Sequence, residues 1–288
     1  MRTGGAILVT GATGTVGRHV TDYLVHAGEA VRAGVRDPDR ATVAGRSVRV
    51  DLGDPASWPD AFDGVDRLFL IRPPAMSDVV TYLRPVIHLA ASRRVRHVVF
   101  LSLIGVNRVM PHWQVEQDIK AAGLPYTFLR PSFFAQNLLT AYRADIAERD
   151  EIRLPAGRGR TAFVDTRDVA EVAARVLIRP ESHHDRAYSL TGEYALRWDD
   201  VAVLLTRALN RRIRYTPIGL LQYRQELLAA GFDPVYVRVQ LGINLVARLG
   251  LAGRTTPTLR ELLGRPPRTM ATFIGDYPDA WAPAIITG

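Results

Sequence analysis

The segment AILVTGATGTVGRHV, residues 6–20, restricts what this chain can fold into more than any other stretch. A short apolar run enters a turn in which Gly11, Gly14 and Gly17 recur every third residue, and a helical pattern leaves it. A residue without Cβ adopts positive φ in a tight turn and lets the backbone come close to a ligand. The N-terminus of the following helix offers free N–H groups, and a pyrophosphate is the group such a cradle suits. The position of the motif, between a predicted strand and a predicted helix at the start of the chain, predicts a dinucleotide-binding α/β unit.

The first half of the chain agrees with that reading. Short β-branched runs at Ala6–Val9, Ala30–Val35, Ser47–Val50, Arg67–Ile71, Val98–Leu101 and Tyr126–Leu129 alternate with helical patterns at Gly17–Ala27, Ser57–Phe62, Val79–Ser92 and His112–Ala122. Such alternation is the signature of a doubly wound parallel sheet with crossover helices. Beyond residue 132 the pattern loosens. Helices are expected at Thr166–Ile178 and Trp198–Leu209 and over most of Leu220–Leu249, with a break near Gly231–Pro234; AYSLTG reads as a strand and Ile213–Thr216 as extended. The expected organisation is a nucleotide-binding domain over residues 1–150 and a smaller, mostly helical substrate lobe over 151–288, interleaved as one cooperative unit.

Composition narrows the chemistry. The chain has 288 residues, 47% hydrophobic and 23% charged, and no cysteine, so disulfides, zinc–thiolate sites, iron–sulfur clusters and a cysteine nucleophile are excluded. A reducing, cytoplasmic location is compatible with that. Apolar runs such as Val98–Val106 fall short of the ~18 residues of a membrane-spanning helix. The net charge of +8 and pI of about 10.2 invite a nucleic-acid reading. Of the 37 basic residues, however, only Lys120 is a lysine, and the arginines are scattered through every segment, so a nucleic-acid partner is not expected. No paired metal-ligand spacing, Gly-x-Ser-x-Gly elbow or P-loop lysine occurs, and no metal is expected.

The second expected strand ends in AGVRDPDR, which puts Arg36 about 20 residues past the last motif glycine, where cofactor specificity is read. A guanidinium there pairs with a 2′-phosphate, and NADP(H) is expected over NAD(H). The alternative has Arg36 facing solvent and Asp37 on the ribose; Arg40 is a second candidate phosphate contact. Asp51 and Leu52, just past the third strand, are candidates to border the adenine, and Ile71, Arg72 and Pro73 end the fourth strand beside the cofactor. Each also fits a strand-end cap.

VTGATGTVGRHV, VRDPDRA, VDLGDPASWPDAFDGVDRLFLI, HWQVEQDIKAAGLPYTFLRPSFFAQNLL, FVDTRDVAEVAARVL and LRELLGRPPRTMATFIGDY, in this order, resemble the NmrA-like branch of the atypical short-chain dehydrogenases. The resemblance implies a Rossmann-type core that binds NADP(H) and a smaller C-terminal lobe closing over the nicotinamide. It carries Gly11, Thr13, Gly14, Thr15, Val16 and Arg36 into the cofactor shell, together with Gly17 of the same motif, and puts Pro131, Phe134 and Asn137 near the nicotinamide and substrate. The branch includes quinone reductases, reductases of natural-product intermediates and regulators that bind the dinucleotide without turning it over.

A typical short-chain reductase donates a proton from a Tyr whose pKa is lowered by a Lys four residues later. Here the residue four before Lys120 is Glu116, so that pair is absent from the whole chain. The nearest counterpart is His112 with Glu116, one helical turn apart. One reading makes His112 a proton donor near neutral pH, oriented or kept cationic by Glu116; the other is a helix-start histidine with a surface partner. Ser102, just past the fifth strand, is at the position of a substrate-orienting hydroxyl, or is a strand-end cap. A quinone or conjugated enone takes hydride with weak acid assistance because the resulting anion is delocalised, so an aromatic or conjugated carbonyl is the expected substrate. Phe133, Phe134, Trp113, Tyr223, Phe232 and Tyr236 are candidates to line its pocket. Two further readings stand beside this one: a redox sensor acting through a protein partner, and a non-redox isomerase or cyclase on the same fold.

Overall fold

The structure is a computed structural model and describes residues 5–73, 76 and 78–282. In chain order its elements begin β1 (Ala6–Thr10), α1 (Gly17–His26), β2 (Val31–Val35), β3 (Arg46–Arg49), α2 (Trp58–Ala61) and β4 (Val65–Ile71). They continue α3 (Val79–Tyr82), α4 (Arg84–Ser92), β5 (His97–Leu101), α5 (Pro111–Ala121), β6 (Tyr126–Pro131) and β7 (Phe133–Phe134). After a 3₁₀ turn over Ala135–Leu139 come α6 (Arg143–Arg149), β8 (Glu151–Leu154), β9 (Arg160–Val164), α7 (Thr166–Ile178) and β10 (Arg186–Leu190). The remainder is β11 (Ala195–Arg197), α8 (Trp198–Leu209), β12 (Arg214–Pro217), α9 (Leu220–Ala229), α10 (Pro234–Arg248), α11 (Thr258–Leu263) and α12 (Met270–Gly275).

The chain forms two compact units, Met1–Pro131 with Thr166–Leu190 and Ser132–Asp165 with Thr191–Gly288. The single boundary expected at residue 150 is therefore replaced by crossings after Pro131, Asp165 and Leu190. The reason lies in the pairing of the later elements. β10 joins β6 in parallel, and α7 packs against α1 and over β4, β5 and β6, so this return segment belongs to the first unit.

In the first unit seven parallel strands run in the order β10-β6-β5-β4-β1-β2-β3. The order reverses between β1 and β4, which is where an open α/β sheet binds its ligand, at the carboxyl ends of the strands. Thr10 ties the two strands at that point: its hydroxyl donates to the Phe69 carbonyl at 3.1 Å and accepts from the Ile71 N–H at 3.0 Å. The central strands β1, β4, β5 and β6 are largely buried, and Leu8, Leu68, Leu70, Val98, Phe100 and Phe128 pack with Val86, Ile87, Val115 and Ile119 of the helices on one side. The helical pattern expected over Val79–Ser92 is broken after Tyr82, because Pro85 in the first turn of α4 has no N–H to continue the ladder.

The second unit holds a three-stranded sheet in the order β11-β9-β7, a two-stranded parallel pair β12-β8, and most of the later helices. Its core is aromatic. Trp198, at the start of α8, meets the rings of Phe163, Tyr142 and Phe133 at 5.1, 5.4 and 5.8 Å in steep, edge-directed geometry. Among the described residues no single helix is long and apolar enough to cross a membrane.

Candidate active site

The glycine turn leaves β1 at the switch point, and two of its glycines are fixed by steric demand. Gly11 has φ of +62°, the left-handed region that favours glycine. A Cβ on Gly17 would lie 2.1 Å from the Gly11 carbonyl oxygen, a distance no side chain survives, so only glycine lets α1 begin this close to the end of β1. Gly11, Thr13, Gly14 and Thr15 are exposed, whereas Ala12, Val16 and Gly17 are buried. The turn is thus open on one side and anchored on the other, with no side chain capping the N-terminus of α1. Such a surface accepts a pyrophosphate: its backbone is accessible, and the helix N-terminus carries unpaired N–H groups and positive potential.

Arg36 follows β2 directly and is exposed, with no ion-pair partner among the described residues. Asp37 is already engaged, since its carboxylate accepts from the Asp39 N–H at 3.2 Å and closes its own loop. The third-strand pair fares differently. Leu52 is buried in the sheet core, and the Asp51 carboxylate accepts from the Gly53 N–H at 2.9 Å, while the Asp51 carbonyl accepts from Trp58 Nε1 at 2.6 Å. Both contacts of Asp51 close its own loop.

At the ends of β5 and β6 lies a polar cluster. Ser102 Oγ donates to Glu116 Oε1 at 2.7 Å, and Arg130 reaches the same carboxylate with Nε at 2.9 Å and its terminal nitrogen at 2.5 Å. Glu116 is 1% exposed and Ser102 4%, and among the described residues the Ser102 hydroxyl and the bidentate Arg130 fork satisfy the buried carboxylate. Pro131, the buried last residue of β6, accepts the Ile104 N–H at 2.9 Å and fixes the loop after Ser102.

The expected His112–Glu116 partnership is not formed. Glu116 turns to Ser102 and Arg130, and His112 instead meets Arg72, whose Nε donates to His112 Nε2 at 3.3 Å. Arg72 is held in turn by the carbonyls of Pro73 at 3.1 Å and Met76 at 2.5 Å. Burial first, and then the charge of Arg72, lower the His112 pKa from 6.5 to about 3. His112 is consequently a neutral imidazole, and because Nε2 accepts, its proton sits on Nδ1. The Glu116 carboxylate, which would have favoured a cationic ring, is instead taken up by Ser102 and Arg130. Burial also lowers the pKa of Arg72, which starts high enough to stay cationic.

Lys120 is exposed at the far end of α5, its ammonium 5.5 Å from the Tyr126 ring centre and 5.7 Å from that of Phe128. It takes no part in the cluster. Arg130 and the Arg72–His112 contact were missed as a working set in the sequence, where the only signal was a charged residue closing each of two apolar strands. Among the substrate candidates, Phe134 and Asn137 are half-buried in the second unit, at and just after β7. Tyr223 is part of that unit's core and Phe133 packs against it, partly buried; Phe232 is 45% exposed and stacks on Tyr236 at 5.1 Å. No group of three or more metal-ligating side chains occurs among the described residues.

A doubly wound parallel sheet with an open, helix-capped glycine turn at its switch point defines a dinucleotide-binding protein of the short-chain dehydrogenase type. The model of the NmrA-like family matches residues 3–247, and the chain belongs to that family. It is 33% identical to the NAD(P)H azoreductase of Xenophilus azovorans over 96% of this chain and 100% of that protein. It is 35% identical to the (4-alkanoyl-5-oxo-2,5-dihydrofuran-3-yl)methyl phosphate reductase of Streptomyces griseus, over 96% of this chain and 99% of the relative. Among solved structures, the NADPH-dependent quinone oxidoreductase of Escherichia coli in complex with NADPH superposes with a TM-score of 0.84 at 26% identity, covering 94% of this chain and 99% of the other.

Proposed function

We propose that this chain is an NADPH-dependent oxidoreductase that delivers hydride to a quinone, an enone or a related conjugated carbonyl. The observation that carries the reading is the neutral His112 backed by Arg72, in a site without Tyr–Lys. A saturated ketone becomes a localised alkoxide when it takes hydride and requires a strong proton donor. A conjugated acceptor spreads the charge and requires only hydrogen-bond donors aimed at it. The first unit offers one such group at the start of α5, the His112 Nδ1–H, with the cationic Arg72 polarising the ring from behind.

When bound, the dinucleotide supplies the hydride. The chain's own residues account for the remainder. Gly11, Thr13, Gly14 and Thr15 hold the pyrophosphate at the start of α1, and Arg36 pairs with the 2′-phosphate, which gives the preference for NADP(H). Ser102, whose hydroxyl donates its hydrogen bond to Glu116, presents oxygen lone pairs and acts as an acceptor that orients a donor group, with Arg130 locking the carboxylate in place. Arg72 fixes the tautomer of His112 and strengthens its Nδ1–H as a donor. The relatives support this chemistry: one is named for a quinone, one for an azo acceptor, and one for a dihydrofuranone whose ring double bond carries two carbonyl groups.

The second reading, a sensor that binds NADP(H) and reports its state to a protein partner, is favoured by the separation of Lys120 from the Ser102 cluster. The two part on one assay. NADPH absorbance is followed with a panel of quinones and enones and with their saturated ketone analogues. Consumption with the conjugated members alone is expected; tight NADPH binding without consumption by any of them would leave the sensor, and failure to bind a dinucleotide would sink both.

A further inference from the structure

The second unit contains a cavity of about 590 Å³ lined by Gly157, Arg158, Pro217, Ile218, Gly219 and Arg248. We propose that this cavity is a binding site for a phosphate monoester carried on a small apolar body. The site is built by three segments that glycine brings together. A Cβ on Gly159 would fall 1.7 Å from the Ala247 carbonyl oxygen, so only glycine lets the loop after β8 lie on the end of α10. Gly157 has φ of +57°, and its carbonyl accepts from the Tyr215 hydroxyl at 3.0 Å, which pins the loop to β12. The aliphatic stem of Arg248 then packs 3.4 Å from where a Gly157 Cβ would be.

Arg158 and Arg248 are both exposed, and neither has a hydrogen-bond or ion-pair partner among the described residues. The end of α10 does not require them either: the Leu245 and Ala247 carbonyls already accept from the N–H groups of Leu249 at 3.0 Å and Gly250 at 2.9 Å. Gly219, also in the lining, is the N-cap of α9, a helix of 10 residues with no side chain capping its first turn, so its leading N–H groups add to the positive potential. Two guanidiniums match the double charge of a phosphate monoester, whereas a carboxylate would leave one of them unanswered. Pro217 and Ile218 provide the apolar wall for the organic part.

The test is calorimetric titration of the full chain saturated with NADPH, which occupies the glycine turn and Arg36. Phenyl phosphate, inorganic phosphate and benzoate are the probes, with wild type and Arg158→Ala/Arg248→Ala. Phenyl phosphate should bind more tightly than inorganic phosphate, benzoate should bind most weakly, and the double variant should lose about tenfold or more of the phenyl phosphate affinity. Quinone turnover should be unchanged in the variant, which also shows that it folds. The proposal is overturned if phenyl phosphate gives no binding, if benzoate binds as tightly, or if folded double variant and wild type bind alike. Should the double variant not fold, Arg158→Gln alone replaces it, with a smaller loss in the same direction expected and an unchanged affinity contradicting the site.

Discussion

The glycine turn and the α5 cluster lie at the same edge of one sheet, yet they are specified in opposite ways. In the turn, residue type is dictated by backbone crowding between neighbours in sequence: Gly17 is glycine because the Gly11 carbonyl occupies the place of its side chain. In the cluster, residue type is dictated by partners far apart in sequence, Ser102 and Arg130 each 14 residues from Glu116, and Arg72 40 residues from His112. The first kind of site is readable from a short window of sequence. The second becomes visible only when strand order has brought β4, β5 and β6 side by side.

The comparison is broken most severely at its most crowded point. Gly17→Ala forces backbone atoms apart, an overpacking cost of about 1–3 kcal/mol at least; NADPH binding should be lost and the denaturation midpoint lowered, and retained affinity would show that the turn tolerates a side chain. Next comes the buried carboxylate. Glu116→Ala strands Arg130 and the Ser102 hydroxyl, and because Arg130 keeps a path to water the cost should fall near the low end of broken buried pairs, about 3 kcal/mol. Equilibrium denaturation measures it, and a cost near zero would mean that the cluster is ornamental to stability.

Arg36→Asp should weaken NADPH by about 10- to 100-fold, as expected for lost charge-assisted phosphate bonds. NADH should be affected far less, and equal losses for the two cofactors would move the 2′-phosphate elsewhere. The smallest effect is one of shape. The His112 pKa is lowered from 6.5 to about 3, so His112 is neutral through the whole neutral range. Quinone turnover should stay level as pH rises through 6.5, and a fall there that disappears in His112→Ala would restore the cationic donor. The same shift has a stability consequence. The unfolded chain protonates His112 below 6.5 while the folded chain resists until about 3, so stability is full above 6.5 and declines as pH falls towards 3. Buried His97, also lowered to about 3, chiefly by burial, contributes in the same direction.

Much of the fold was legible for the reason the turn was. Each of the six sheet strands expected in the first half occurs, because β-branched runs bounded by Gly, Pro and charged residues mark extended segments, most of them buried in the sheet. Thr166–Ile178 and Trp198–Leu209 match their expected bounds, since their apolar spacing ends where the burial ends. The domain boundary was not legible. A break in periodicity at 132 marks where the chain leaves the sheet, but nothing local announces that α7 and β10 return to it. In the site, His112 and Glu116 were paired on helical spacing alone, and that spacing holds: they do share a helix. Position on a helix face does not decide which neighbour a side chain meets, however, and Glu116 found a bidentate guanidinium and a hydroxyl where His112 could have offered a single ring nitrogen.

The measurement that reaches the central claim most directly is a single turnover with NADPH deuterated at the transferring carbon and an enone as acceptor, whose β-carbon keeps the label. One deuterium per NADPH consumed should be delivered to the conjugated acceptor, with none delivered to its saturated ketone analogue. Tight binding of the labelled cofactor with no transfer to any conjugated acceptor would contradict the account.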